Sequence, residues 1–236
     1  AEFEAAKKRE EERLRPKGPE VMPLDDGTFQ LNGRVFANEE AAKLFWEADQ
    51  CRHPGGPPDI VKVIELYKKT IESQPGFRSN AFLAEQIAEC YSTYTVKETG
   101  FAPNLKKGFY WWGKVAEWAN PAELVWARAQ IWMAGMCPDV GKGDEWLDRY
   151  KTVAMWDASN VMWPSESVPP TGARAESDLA ILRNNADSLT VAAVENIEQG
   201  LRPDPALATA ILSEISKARA GTPAGQRAAE LMRDIP

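Results

Sequence analysis

The sequence predicts an all-α protein: a right-handed α-solenoid of about three helical-hairpin repeats, with a short β-hairpin before it and a helical lobe after it. Three observations predict this. Val115, Ala116 and Trp118 recur as Val153, Ala154 and Trp156, each 38 residues on (115 to 153, 116 to 154, 118 to 156), and self-similarity at such a period marks stacked helical repeats. Apolar residues return at three- and four-residue spacing between breaks rich in proline and glycine, the pattern of amphipathic helices joined by short turns. In the first helix of two successive pairs a small residue is followed three positions later by a large aromatic one, Ala88 with Tyr91 and Ala129 with Trp132. The small residue admits the neighbouring helix and the aromatic fills the space beside it.

In chain order, residues 1–37 hold a charged segment and the hairpin. Positions 1–15 mix Lys, Arg and Glu at helical spacing with few apolar anchors, which predicts a frayed, solvated helix. Asn32-Gly33 between the β-prone runs at 28–31 and 34–36 is a hairpin signal, because both turn residues must take positive φ. A lone hairpin is marginal, so this one is expected to pack on the first helix pair. Residues 38–157 form the repeat array. Asn38 opens its first helix, and the loop Arg52–Pro58 ends it with three prolines and two glycines. Asp59 caps the next helix. The second pair runs over about 79–94 and 104–119. The third takes Pro121 as its first helical residue, continues to Gly135, breaks at Pro138 and resumes over about 142–156. Residues 158–174, with Pro164, Pro169, Pro170 and Gly172, are a linker or an ordered crossing loop. Residues 175–236 return to helical periodicity in three segments without the repeat signature, as a terminal cap or small lobe.

The 236-residue chain is 44% hydrophobic and 27% charged, ordinary for a globular protein, with a formal net charge of −7. Binding to a nucleic-acid backbone needs clustered Lys and Arg, so that charge argues against nucleic acid and for a basic protein partner. No apolar run reaches the roughly 18 residues of a membrane-spanning helix. The N-terminus is charged from its second residue and has no signal-peptide core. Three cysteines, Cys51, Cys90 and Cys137, allow either one disulfide with a free thiol or three free thiols.

The residues give no catalytic, cofactor or metal assignment. His53 is the only histidine, so two-histidine metal spacing is impossible, and Cys51-x-His53 lacks further cysteines at metal-ligand spacing. Gly141-Lys142-Gly143 lacks the rest of a phosphate-binding loop. Most of the nine tryptophans fall inside repeat helices, where aromatics at helical spacing serve packing.

The stretch Lys107–Pro121, KGFYWWGKVAEWANP, resembles the second helix of the Sel-one-like repeat, a relative of the tetratricopeptide repeat. Lys107, Trp111, Trp112, Lys114, Ala116, Asn120 and Pro121 fill or nearly fill the family's places, whereas Gly108, Val115 and Ala119 depart from its small-residue consensus. Ala88 with Tyr91, and Ala129 with Trp132 and Gly135, are similar to the family's first-helix pattern. The resemblance implies a protein-binding array whose first helices present the binding face. On those faces Glu85, Glu89, Tyr94, Trp126 and Arg128 are the expected partner-binding residues, Arg128 standing where the family usually has Leu. The layout also resembles periplasmic immunity proteins of type VI secretion phospholipase effectors, which implies a toxin-neutralising inhibitor in the periplasm, with the cytoplasm as the alternative. A scaffold for envelope, secretion or signalling complexes is the rival among binding proteins. A carboxylate-dependent hydrolase using Asp178, Glu195 and Asp204 is the rival from another class.

Overall fold

The computed structural model describes residues 18–52, 57–93, 100–143 and 145–234. The charged segment at 1–15, His53 and Tyr94 lie outside the described residues. Within them the chain is mostly helical, with one small antiparallel sheet. Strands β1 (Met22–Pro23), β2 (Phe29–Leu31) and β3 (Arg34–Phe36) pair in that order. Asn32 and Gly33 both take positive φ, 50° and 78°, as a two-residue hairpin turn demands. The hairpin expected from Asn32-Gly33 is present, extended by β1, whose two residues were too few to register as a strand pattern.

The helices are α1 (Glu39–Arg52), α2 (Ile60–Ser73), α3 (Asn80–Ser92), α4 (Leu105–Trp118), α5 (Leu124–Met136), α6 (Trp146–Ala154), α7 (Ala173–Glu198), α8 (Pro205–Ala218) and α9 (Pro223–Asp234). Local chemistry sets the starts of α1, α2, α4 and α8: the carboxyl or amide oxygens of Asn38, Asp59, Asn104 and Asp204 each accept an N–H from the first turn at 2.8–3.1 Å, satisfying an otherwise orphaned donor. α5 departs from expectation. Pro121 lies in a turn, not at the helix start: Asn120 Oδ1 accepts the Ala122 N–H at 2.9 Å and the Asn120 carbonyl accepts that of Glu123. The helix then begins at Leu124, with Glu123 in the capping position.

The core is a chain of clusters that share helices. The first joins β2, β3, α1, α2 and α3 through Phe36, Phe45, Tyr67 and Phe82. The second joins α3, α4 and α5 around Trp112, which is fully buried and stacked on Trp132 at 5.6 Å. The third joins α5 and α6 to α7, α8 and α9, so the C-terminal helices are continuous with the array's core. Helices α1 to α6 pack chiefly on their sequence neighbours, whereas α7 packs on α6 and also on α9. Gly108 shows how closely neighbouring helices approach: a Cβ there would stand 2.5 Å from Ser92 Oγ, so an alanine would require that hydroxyl to turn away from the Ala88 carbonyl it donates to.

A buried polar knot ties the sheet to the helices. Gln74 Nε2 donates to Ser79 Oγ and Asn80 Oδ1, its Oε1 accepts the Ala37 N–H at 2.9 Å, and Asn38 Nδ2 donates to the Ser73 carbonyl. The segment expected as a linker or crossing loop is the latter. After a 3-10 turn at Ala158–Asn160 it runs back across the molecule, anchored by Met162 N–H to the Ala122 carbonyl (2.8 Å), and reaches β3. There the Val35 N–H donates to the Glu166 carbonyl at 2.7 Å and the Val168 N–H to the Gly33 carbonyl at 3.2 Å. Residues 161–168, the strap, thereby supply pairing to the edge strand of the sheet.

Candidate partner-binding face

Helices α1, α3 and α5 are cross-linked by charge. Arg52 on α1 reaches Glu89 on α3 at 2.9 Å and also contacts Gln86. Arg128 on α5 reaches Glu85 on α3, Nη2 to Oε1, at 2.8 Å. The Glu85 oxygen lies off the guanidinium N–H direction, so this is an ion pair without an aligned hydrogen bond. Three residues expected at a binding surface, Glu85, Glu89 and Arg128, thus lie in one ladder across helices that are neighbours in space but not in sequence.

Two of the expectations need correction. Glu85 was expected on an exposed face and is 4% exposed, because the strap and β3 bring Glu166 and Arg34 over that part of α3. Trp126 was also expected there but is half-buried, packed between the second and third core clusters. Its indole packs where those two clusters meet. Arg128, 48% exposed along its side chain, keeps an outward position.

Above the ladder, Arg34 of β3 donates to Glu166 Oε1 at 3.0 Å, with its guanidinium carbon 3.5 Å from the Phe82 ring centroid. That pair separates two pockets. On one side, Arg34 lines a space of about 320 Å³ with Asn32, Asp49, Arg52 and Gln86. On the other, Glu166 lines a space of about 370 Å³ with Glu123, Arg128, Asn185, Ser188 and Leu189. Glu123 is 2% exposed. Its Oε1 accepts the Ser165 N–H at 3.1 Å, and its Oε2 has no hydrogen-bond partner.

Burial dominates the electrostatics. It pushes the Glu85 carboxyl up to about 7, an effect that Arg128 opposes and that Glu89 and Glu166 reinforce. It also raises Glu123, against hydrogen bonds from the Ser165 hydroxyl and amide and with help from Glu166. Among the described residues no group of three His, Cys, Asp or Glu side chains converges as a metal site would require. Cys51, Cys90 and Cys137 are free thiols.

Sequence reasoning missed Arg34, Glu123 and Glu166. Arg34 and Glu166 are 132 residues apart, and no local spacing joins them. A carboxylate just before an apolar helical run, as at Glu123, was the one available signal. The carboxylates of the hydrolase rival are not brought together. Asp178 and Glu195 lie on the same helix, about 25 Å apart at 1.5 Å per residue, and pair with Arg174 and Arg227 respectively. Asp204 caps α8.

No protein-family model, curated protein or solved structure matches this chain.

Proposed function

We propose that this chain is a non-enzymatic, protein-binding repeat module: a right-handed Sel-one-like solenoid of three helical hairpins, α1–α2, α3–α4 and α5–α6, closed by α7–α9. In this reading it acts as an immunity protein in the bacterial periplasm, binding and neutralising a type VI secretion toxin such as a phospholipase. The observation that carries the binding reading is the charge ladder Arg52–Glu89 and Glu85–Arg128 across α1, α3 and α5. It holds polar groups from three helices in fixed register before any partner arrives, and preorganisation of that kind lowers the entropy cost of association. The net charge of −7 suits a basic partner surface, where complementarity speeds encounter. Blocking an active site requires an interface above about 1,000 Å², which three adjacent helices can supply.

The test is co-expression with the product of the adjoining reading frame. A toxin next door, a stable complex on size exclusion and protection of cells from that toxin are expected. A neighbour that forms no complex, with no protection, refutes the immunity role. Binding to a resident envelope or signalling protein instead would make the chain a scaffold. Turnover of ester, phosphodiester or glycoside substrates that is lost in Asp178→Asn, Glu195→Gln or Asp204→Asn would refute the binding reading altogether.

A further inference from the structure

We infer that the pocket between α5, the strap and α7 receives a basic side chain of the protein partner, a lysine ammonium or arginine guanidinium seated against Glu123. This rests on the protein-binding reading and adds the chemistry of recognition to it.

The carboxylates around this pocket are unequally paired. Of three buried carboxylates, Glu123 and Glu166 line this pocket and Glu85 stands beside it on Arg128, and two guanidinium groups answer them. Arg128 stands on Glu85 at 2.8 Å and Arg34 on Glu166 at 3.0 Å. Among the described residues Glu123 has no cationic partner. Its carboxylate is fixed in the pocket wall, because Oε1 is held by the Ser165 amide and both neighbours of Ser165, Pro164 and Glu166, line the space. Oε2 makes no aligned hydrogen bond, and Ser165, through its amide and its hydroxyl, is a neutral donor, so this buried carboxylate at the edge of a cavity lacks a charged one. An orphaned buried acceptor costs free energy that an incoming donor recovers. A cation recovers more than a neutral donor, since charge-assisted bonds are the stronger ones.

The rest of the wall suits the stem behind such a head group. Leu124, Val125, Pro164 and Leu189 are apolar, and Asn185 and Ser188 are exposed on α7. At about 370 Å³ the space lies at the small end of ligand pockets, which run from about 300 to 1,000 Å³, and so fits one long side chain. Arg128 in the same wall is turned toward Glu85, 2.8 Å away, and its side chain is 48% exposed, so solvent screens it from the guest.

The probes are N-acetyl-lysine amide, N-acetyl-arginine amide and the uncharged N-acetyl-norleucine amide, titrated into the full chain by NMR. Saturable shifts at Val125, Asn185, Ser188 and Leu189 are expected with the two cations and not with norleucine. Glu123→Gln keeps an acceptor for Ser165 and removes a buried charge, so the chain stays folded. It should weaken both cations about tenfold or more, the worth of one charge-assisted hydrogen bond. Ser188→Arg, an exposed change at the rim, should abolish the shifts by placing a cation there. Equal binding of norleucine, unchanged affinity in Glu123→Gln, or no pocket shifts through the millimolar range would overturn the inference. These probes contain no partner protein, so such a failure leaves the co-expression test of the module untouched. A toxin complex that forms equally well with Glu123→Gln would sink the pocket while upholding the module.

Discussion

Glu85 makes stability depend on pH in an unusual direction. Its carboxyl is 4% exposed and sits near 7 in the fold, against an ordinary 4.5, burial being the main cause. A carboxyl raised on folding holds more protons in the native state than in the unfolded one between those two values. Stability therefore falls as pH rises from about 4.5 to about 7, the reverse of an ion-paired surface carboxylate. Integrating the linkage relation between these values makes the protein less stable at pH 8 than at pH 5 by on the order of 2–3 kcal/mol through Glu85 alone. Glu123, also raised by burial, pushes the same way. The carboxylates lowered by hydrogen bonds, Asp26, Glu65, Glu117, Glu145 and Asp157, lose their stabilisation only below the acidic end of this window. The assay is urea denaturation followed by far-ultraviolet circular dichroism at pH 5 and pH 8, on the wild type and on Glu85→Gln. The variant should lose most of the slope and overtake the wild type at pH 8, since Arg128 is half solvated and tolerates loss of its partner. A wild type as stable at pH 8 as at pH 5, or a variant that keeps the full slope, would refute the reasoning.

Trp112→Ala should cost about 3–5 kcal/mol as a fully buried aromatic, whereas its stacking partner Trp132, 40% exposed, should cost about 1–2 kcal/mol; equal losses in urea melts would contradict a packing role for the stack. Gly225→Ala would place a Cβ 1.9 Å from the Arg219 carbonyl oxygen and force α9 away from the end of α8, whereas Gly221→Ala meets nothing within 4 Å. The first should destabilise by about 3 kcal/mol and the second hardly at all, and similar melting temperatures would show the α8–α9 turn to be more open. Under native conditions half-buried Cys51 should react first with a thiol reagent. Cys90, pushed up to about 11 by burial, and Cys137, also raised, should react only on unfolding; a native count of three fast thiols, or none in denaturant, would contradict this. Glu85→Arg should unfold the chain by burying a second cation beside Arg128, so a change confined to Glu89 is the usable probe of partner binding through α3. A Glu85→Arg protein with wild-type stability would show that α3 is not covered there.

The helices were legible because their causes are local. Asn38, Asp59, Asn104 and Asp204 carry the cap within three residues of the donor they serve, and the Gly/Pro breaks forbid continuation on backbone grounds alone. Asn32-Gly33 carries its turn in two residues. The α5 start was misplaced because Pro121 fits a helix N-terminus as well as a turn, and the choice between them was made by Asn120 and Ser165. The second of these is 42 positions from Glu123. Glu85 was misread as exposed for the same reason: its helix periodicity gave no hint that strap and sheet would cross it.

Composition and periodicity alone determined the helical class, the approximate element boundaries, the hairpin turn and the packing role of most tryptophans, since each depends on residues within a turn or two of one another. Only the tertiary structure decided which carboxylates are buried, which are paired and which is left without a donor. Those outcomes depend on desolvation and on partners brought together by the strap's return to β3, and a pairing across 132 positions leaves no periodic trace in the chain.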